Sequence, residues 1–227
     1  MITREQVADP KRRILMVCVQ MFIEKGFKAT TMMDIIREAD VSSGTFQNLF
    51  RTKDGVLLEL INFMFKNQFE MARSFADKEQ NSVGVYAIET ALQLAITESD
   101  ENLREIYVEA YTQPKLSEVI YQYTSTELFK TFGRYNPDFT ESDFYECEIG
   151  SAGMMRAFMA RPCDKYFTLK RKIEKFLDMS LKAYNTPAEA IDEALNIVGA
   201  IDLNSTAQAI MNKLFSALEM VFGCKFN

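Results

Sequence analysis

The sequence predicts an all-α protein, and three observations carry that prediction. Apolar residues recur at i, i+3, i+4 and i+7 along most of the 227 residues, the period of one buried helical face. Runs of β-branched residues alternating with polar ones, the mark of a strand, are absent from the sequence. Nine glycines and five prolines are spread thinly, as suits long helices joined by short breaks.

Start and stop signals delimit the first elements. Asp9-Pro10 reads as an N-cap with proline at the first helical position, where its missing N–H costs nothing. Ile14, Cys18, Met21 and Phe22 follow at helical spacing, and Gly26 closes the helix. Thr31 and Asp34 have the form of a capping box, and Met32, Ile35, Ile36 and Ala39 make one buried stripe behind it. Ser42 suits the N-cap of a third helix, with Val41 and Phe46 at the spacing of a hydrophobic staple. Phe46, Leu49 and Phe50 are expected on its inner face, with Ser43, Gly44, Gln47 and Asn48 on the outer one. Two short helices joined by so brief a turn cross steeply, which is helix-turn-helix geometry. Thr52 caps a fourth helix whose apolar stripe runs Leu57, Leu60, Ile61, Met64, Phe65; neither proline nor glycine interrupts from Val56 to Val83. Beyond it the chain reads as further helices broken by Pro114, Pro137, Pro162 and Pro187.

Composition narrows the function classes. Hydrophobic residues at 48% and charged residues at 26% are the balance of a globular chain. No apolar run approaches the roughly 18–20 residues of a membrane span; the most apolar stretch, Ala152 to Ala160, is cut by Arg156. The first residues show no signal-peptide pattern, so the expected location is cytoplasmic and no membrane partner is expected. Cys18, Cys147, Cys163 and Cys224 form no Cys-x-x-Cys pair and read as buried or incidental thiols. Histidine is absent altogether, which removes Ser-His-Asp and Cys-His triads and His-ligated zinc or di-iron sites. Neither catalysis, a metal nor a cofactor is expected. The net charge of −6 is uneven: residues 1–60 balance to +1 and residues 61–227 to −7, so the basic clusters sit in the near-neutral N-terminal segment.

Residues 10–57 resemble the DNA-binding domain of the TetR family. The resemblance is carried by Gly26-Phe27-Lys28-Ala29-Thr30-Thr31, by the run from Ile35 through Thr45, and by Phe50-Arg51-Thr52-Lys53-Asp54. This sequence departs from the family pattern at Asp40, where glycine is usual, at Ser43, where a basic residue is usual, at Gln47, where tyrosine is usual, and at Leu49, which is more often a polar aromatic or histidine. The resemblance implies a helix-turn-helix domain over residues 1–56, joined by a long helix to a larger helical ligand-binding and dimerisation domain over residues 57–227. It implies a ligand-responsive transcriptional regulator, a repressor in the commoner case, that binds double-stranded operator DNA as a homodimer. A helical ligand-binding or adaptor protein with weakened DNA binding is the alternative, motivated by the acidic balance and the missing phosphate contacts.

Within that frame the expected DNA-binding residues are Thr31, Ser42, Ser43, Gly44, Thr45, Gln47, Asn48 and Lys53. Gln47 and Asn48 can pair with the N6 and N7 edge of adenine, Ser43 and Thr45 with phosphate or a thymine methyl, and Lys53 with phosphate. Lys11, Arg12 and Arg13 are either a solvated face or a contact to the DNA backbone. For the larger domain the expected effector is small and hydrophobic or aromatic. Its expected contacts are Tyr107, Tyr111, Met154 and Phe158, with Gly150 and Gly153 leaving room and Arg156 supplying one charged contact. Two stripes, Leu169-Ile173-Phe176-Leu177-Leu181 and Ile210-Leu214-Ala217-Leu218-Val221, are the expected dimer interface.

Overall fold

The computed structural model describes residues 9–62 and 82–222, and every regular element among them is a helix. The N-terminal head follows its local signals closely. In α1, Pro10–Lys25, the Asp9 carboxylate accepts the Lys11 N–H at 3.0 Å, and Ile14, Cys18, Met21 and Phe22 are buried. Gly26 ends α1 at φ 86°, a backbone that side chains other than glycine's resist. The second helix, α2, spans Met32–Glu38, and its capping box is complete: Asp34 N–H donates to Thr31 Oγ1 at 3.1 Å and Thr31 N–H to Asp34 Oδ2 at 3.3 Å. The third, α3, spans Ser43–Leu49, with Ser42 Oγ accepting the Thr45 N–H at 3.0 Å. The fourth, α4, is described over residues 53–62, opened by Thr52 Oγ1, which accepts the Gly55 N–H at 3.2 Å. Met64 and Phe65, expected on its apolar stripe, lie outside the described residues.

The body is assembled around one helix. Helix α5, Ser82–Ser99, is buried from Val83 to Thr97 except at Val85, because a helix apolar on all sides must be covered on all sides. It packs against α6 (Glu101–Ala110), α7 (Pro114–Phe132), α8 (Glu141–Ala160), α9 (Leu169–Ala183), α10 (Ala188–Gly199) and α11 (Leu203–Phe222). The four prolines sit where helices start or stop: Pro114 opens α7, Pro187 precedes α10, and Pro137 and Pro162 stand between helices. A 3₁₀ turn at Gly133–Tyr135 leads into buried Asn136, whose amide donates to the carbonyls of Phe132 and Tyr184, both at 2.9 Å. The Phe132 and Tyr184 rings stack 4.7 Å apart, so the ends of α7 and α9 are bolted together. None of the described helices is long and apolar enough to cross a membrane.

The stripe on α9 that was expected to meet a second subunit faces its own core. Ile173, Phe176, Leu177 and Leu181 are buried beneath α5, α8 and α10. The reason is the number of neighbours: a strongly amphipathic helix shows one apolar stripe in sequence whether it lies on its own bundle or on a partner's. Ile210 is likewise buried, while the side chains of Leu214, Ala217, Leu218 and Val221 lie outside the described residues.

A buried ion cluster fixes the outer end of α5. The Lys172 side chain is fully buried, and its ammonium donates to Glu98 Oε1 and to the Arg161 carbonyl, each at 2.5 Å. The second oxygen of Glu98 accepts the Cys163 N–H at 2.9 Å and lies 3.5 Å from the Arg104 guanidinium. Burial pushes the Glu98 carboxyl upward, but the bonds from Lys172 and Cys163 outweigh it and the net shift is downward.

Candidate functional site

The outward face of the head is a polar strip on α3. Phe46 is fully buried and Phe50 nearly so, which turns Ser43, Gly44, Gln47 and Asn48 to solvent, with Thr45 half-buried beside them. Thr31 and Ser42 are exposed at the N-termini of α2 and α3, each already serving as a cap. A Cβ at Gly44 would meet only Ser42 Oγ at 3.7 Å, so nothing within the chain requires glycine there.

Leu49 departs from its expected place. It is 41% exposed and stands outside the head's core. A helix of seven residues has room for one inward position per turn; Phe46 takes it, and Phe50 at the C-cap takes the next. The exposed edge of the head thus carries Leu49 beside Gln47 and Asn48, and Met32 and Met33 at the start of α2, the latter 68% exposed. Arg51, exposed at φ 61° just past α3, is a cation on this side that the helix pattern did not single out.

Lys53 is anchored inside the chain. Its ammonium donates to the carbonyls of Phe27 (2.6 Å) and Thr30 (2.8 Å) and lies 4.1 Å from the Phe27 ring centroid. Two of its three donors are thereby spent on tying the start of α4 to the α1–α2 loop. Burial lowers its pKa. Lys11 is paired with Glu59 at 2.9 Å, linking α1 to α4. Asp40 stands at φ 52°, a left-handed position that explains why glycine is at home there and why aspartate is tolerated.

The head is fastened to the body at α6. Asn102 donates to the Ile23 carbonyl at 2.7 Å, and the Lys28 N–H donates to Glu105 Oε1 at 3.0 Å. Gly26 lies directly against this joint: a Cβ there would stand 2.4 Å from Glu105 Oε2. Helix α1 packs on both α6 and α11.

The body holds a small cavity against α5, walled by polar and apolar groups together, about 20 Å³ open to the centre of a water-sized guest. Tyr111 lines it. Of the other residues expected around a ligand, Tyr107 is buried in the core. Met154 and Phe158 are half-buried on α8, where Phe158 packs on Phe167 and Phe176. Arg156, Gly150 and Gly153 are exposed on the outer side of α8 and do not line the cavity. What the sequence reading missed is the pair Glu89 and Glu148, both buried and both lining the cavity. Gln93 donates to Glu89, and Tyr111 donates to Gln93 Oε1 at 3.0 Å. Glu148 accepts from Ser151 at 2.6 Å and from Tyr184 at 3.3 Å. Burial, the larger cause in each, raises Glu89 to about 7 and Glu148 to about 8, with Glu89 adding to the rise at Glu148. A signal for Glu89 was available: apart from Glu98 at the far end, it is the one charge in a helix with no polar face.

A capped three-helix head presenting a polar third helix, set on an all-helical body, defines a helix-turn-helix protein. Residues 14–60 match the family model described as bacterial regulatory proteins, tetR family, so the head is a TetR-family helix-turn-helix domain. Three relatives have the same character. The HTH-type transcriptional regulator YerO of Bacillus subtilis is 34% identical over 55 residues, covering 24% of this chain and 19% of that protein. YuxN of Bacillus subtilis is 26% identical over 61 residues, 27% of this chain and 21% of the relative. QacR of Staphylococcus aureus is 24% identical over 124 residues, 44% of this chain and 66% of the relative. The matched stretch thus spans about a fifth of the first two relatives and about two thirds of the third.

Proposed function

We propose that the chain is a ligand-responsive DNA-binding transcriptional regulator. Residues 1–56 read a palindromic operator, and residues 57–227 bind a small effector with an apolar or aromatic body and join two copies. The output is repression, relieved when the effector binds. The observation that carries the reading is the unshielded strip Ser43, Gly44, Gln47 and Asn48 on a helix pinned from behind by buried Phe46. Two such helices related by a two-fold axis meet half-sites about 34–36 Å apart or somewhat more. Because the α9 stripe is internal, the exposed faces among the described residues that could meet a second copy include the outer side of α8, with Ile149, Gly150 and Gly153, and Met179 of α9, beside the α11 stripe of the sequence. Of the eight DNA contacts proposed, Gln47 and Asn48 read bases; Thr31, Ser42, Ser43, Gly44 and Thr45 meet the backbone or let it approach. Lys53 positions the head, with at most one donor free for phosphate.

The test is a gel shift with DNA from the protein's own promoter region at two salt concentrations, on wild type and Asn48→Ala. Wild type should retard the DNA, and Asn48→Ala should lose about 1–3 kcal/mol of discrimination at one base pair per half-site. Unchanged affinity and base preference in the variant would remove α3 from the interface, and sedimentation showing only monomer at micromolar concentration would remove the dimer.

One observation favours a second reading, a helical ligand-binding or adaptor protein with weak DNA affinity. The lysine best placed for phosphate is committed to two carbonyls, and the chain as a whole carries a charge of −6. No retardation at low salt would select it.

A further inference from the structure

The cavity beside α5 combines two features that rarely occur together without a reason. It is empty space with a wall of mixed apolar and polar groups, and two of the lining groups are carboxyls buried with no cation beside them among the described residues. Among the described residues that line it there is neither lysine nor arginine. Among the described residues the titratable groups coupled to Glu89 and Glu148 are each other, the tyrosines Tyr86, Tyr111 and Tyr184 and the Cys147 thiol, all of them acids. Elsewhere in the same bundle the chain neutralises an interior charge fully, as Glu98 does for Lys172. An unpaired interior carboxylate is costly, so this pair either stays protonated or is completed by a cation from outside.

The dimensions and chemistry of the void say which kind of cation. About 20 Å³ has room for one water-sized group, which an ammonium matches and a trimethylammonium exceeds. The lining includes groups able to accept hydrogen bonds, the carboxyls of Glu89 and Glu148 and the hydroxyls of Thr90 and Ser151. An –NH₃⁺ group has three donors and no acceptor, the complement of that set. Apolar groups, Met155 and Phe176, complete the wall, and among the described residues Thr124 on α7 is the only lining residue that is not buried. The mouth therefore lies beside α7, the side by which a tail would leave.

We propose that this cavity is the recognition site for the primary ammonium head of an amphipathic amine, seated between Glu89 and Glu148 with its apolar body leading out past Thr124. It deepens the reading of the body as an effector domain by naming the effector's class. The pair then works as a selector: a neutral aromatic guest brings the two interior carboxyls no counter-charge, and an anion is repelled by them.

The experiment is calorimetric titration of the full chain, free of DNA, with 2-phenylethylamine, its N,N,N-trimethyl derivative, 2-phenylethanol and phenylacetate. The expected result is that the primary amine binds at least ten-fold tighter than the alcohol and the trimethylated compound, and that phenylacetate does not bind. Amine affinity should rise between pH 6 and pH 8.5 as the carboxyls ionise. Glu89→Gln, Glu148→Gln and the double variant, each checked for fold by circular dichroism, should lose the amine's advantage over the alcohol. Equal binding of amine and alcohol by wild type, or full retention of the preference in a folded double variant, would overturn the proposal. DNA release by the amine is measured separately. Amine binding without DNA retardation leaves the site standing and removes the regulator reading. Retardation without amine binding does the reverse.

Discussion

Glu105 of α6 accepts the backbone N–H of Lys28 at 3.0 Å, and its other oxygen lies where a Cβ on Gly26 would have to stand. The turn that ends α1 is thus shaped by a carboxylate from the body. Gly26→Ala meets both a φ of 86° and a 2.4 Å contact, and should destabilise the protein by about 2 kcal/mol. Adding Glu105→Ala should recover the part due to the Glu105 contact, but not the part due to φ or to Asn102 Oδ1, 2.9 Å from the same Cβ. Chemical denaturation of the two variants measures the split; full recovery in the double variant would leave the backbone conformation without a cost.

Asp40 offers the opposite experiment. It holds φ 52° at a position where glycine pays no steric penalty. Asp40→Gly should raise stability by up to about 1 kcal/mol, the relieved strain exceeding the extra freedom of the unfolded chain. A fall in the denaturation midpoint would mean that Asp40 makes a compensating interaction.

Glu98→Gln leaves the Lys172 ammonium buried beside a neutral amide. Breaking one partner of a buried pair strands the other, and a loss of about 3 kcal/mol is expected. The pH dependence has a defined sign. Glu98 titrates lower in the folded chain than in the unfolded one, so its contribution is full above the unfolded carboxylate pKa and is lost as pH falls through the folded value. The loss of stability between pH 7 and pH 3, measured by chemical denaturation, should be smaller in Lys172→Met than in wild type, because the carboxylate has lost the partner that lowers its pKa.

Glu89 and Glu148 act with the other sign. Their folded values, about 7 and about 8, stand above those of the unfolded chain. The folded state therefore binds more protons, and stability is full below the unfolded carboxylate range and falls as pH rises toward 8. In the absence of ligand the melting temperature should drop between pH 6 and pH 9, and the drop should flatten in the Glu89→Gln, Glu148→Gln double variant. A pH-independent melting temperature in wild type would show that neither carboxyl changes its protonation on unfolding.

Most of the head was legible because its signals are local. Asp9, Thr31, Ser42 and Thr52 each act within three residues of themselves, and each caps the helix that its spacing indicated. Leu49 was misplaced because a stripe rule assumes a helix long enough to have a full inner face. Lys53 bonds to carbonyls 26 and 23 residues away, a relation that no window along the chain contains. The body was legible as helices but not as a site. Whether Gly150 and Gly153 line a pocket or an outer wall depends on how six helices surround α5, and periodicity carries no such information. For the same reason the apolar stripe of α9 could not declare whether it was covered by its own chain or by another.

Helix α5, enclosed on every side, has no face from which solvent can reach its peptide groups without displacing another helix. Its amide protons should then exchange with deuterium only through openings that release several neighbours together, and at rates near those of global unfolding. A guest between Glu89 and Glu148 would be felt first in that slow class, as a further slowing along α5, while the amides of exposed α3 continued to exchange as before.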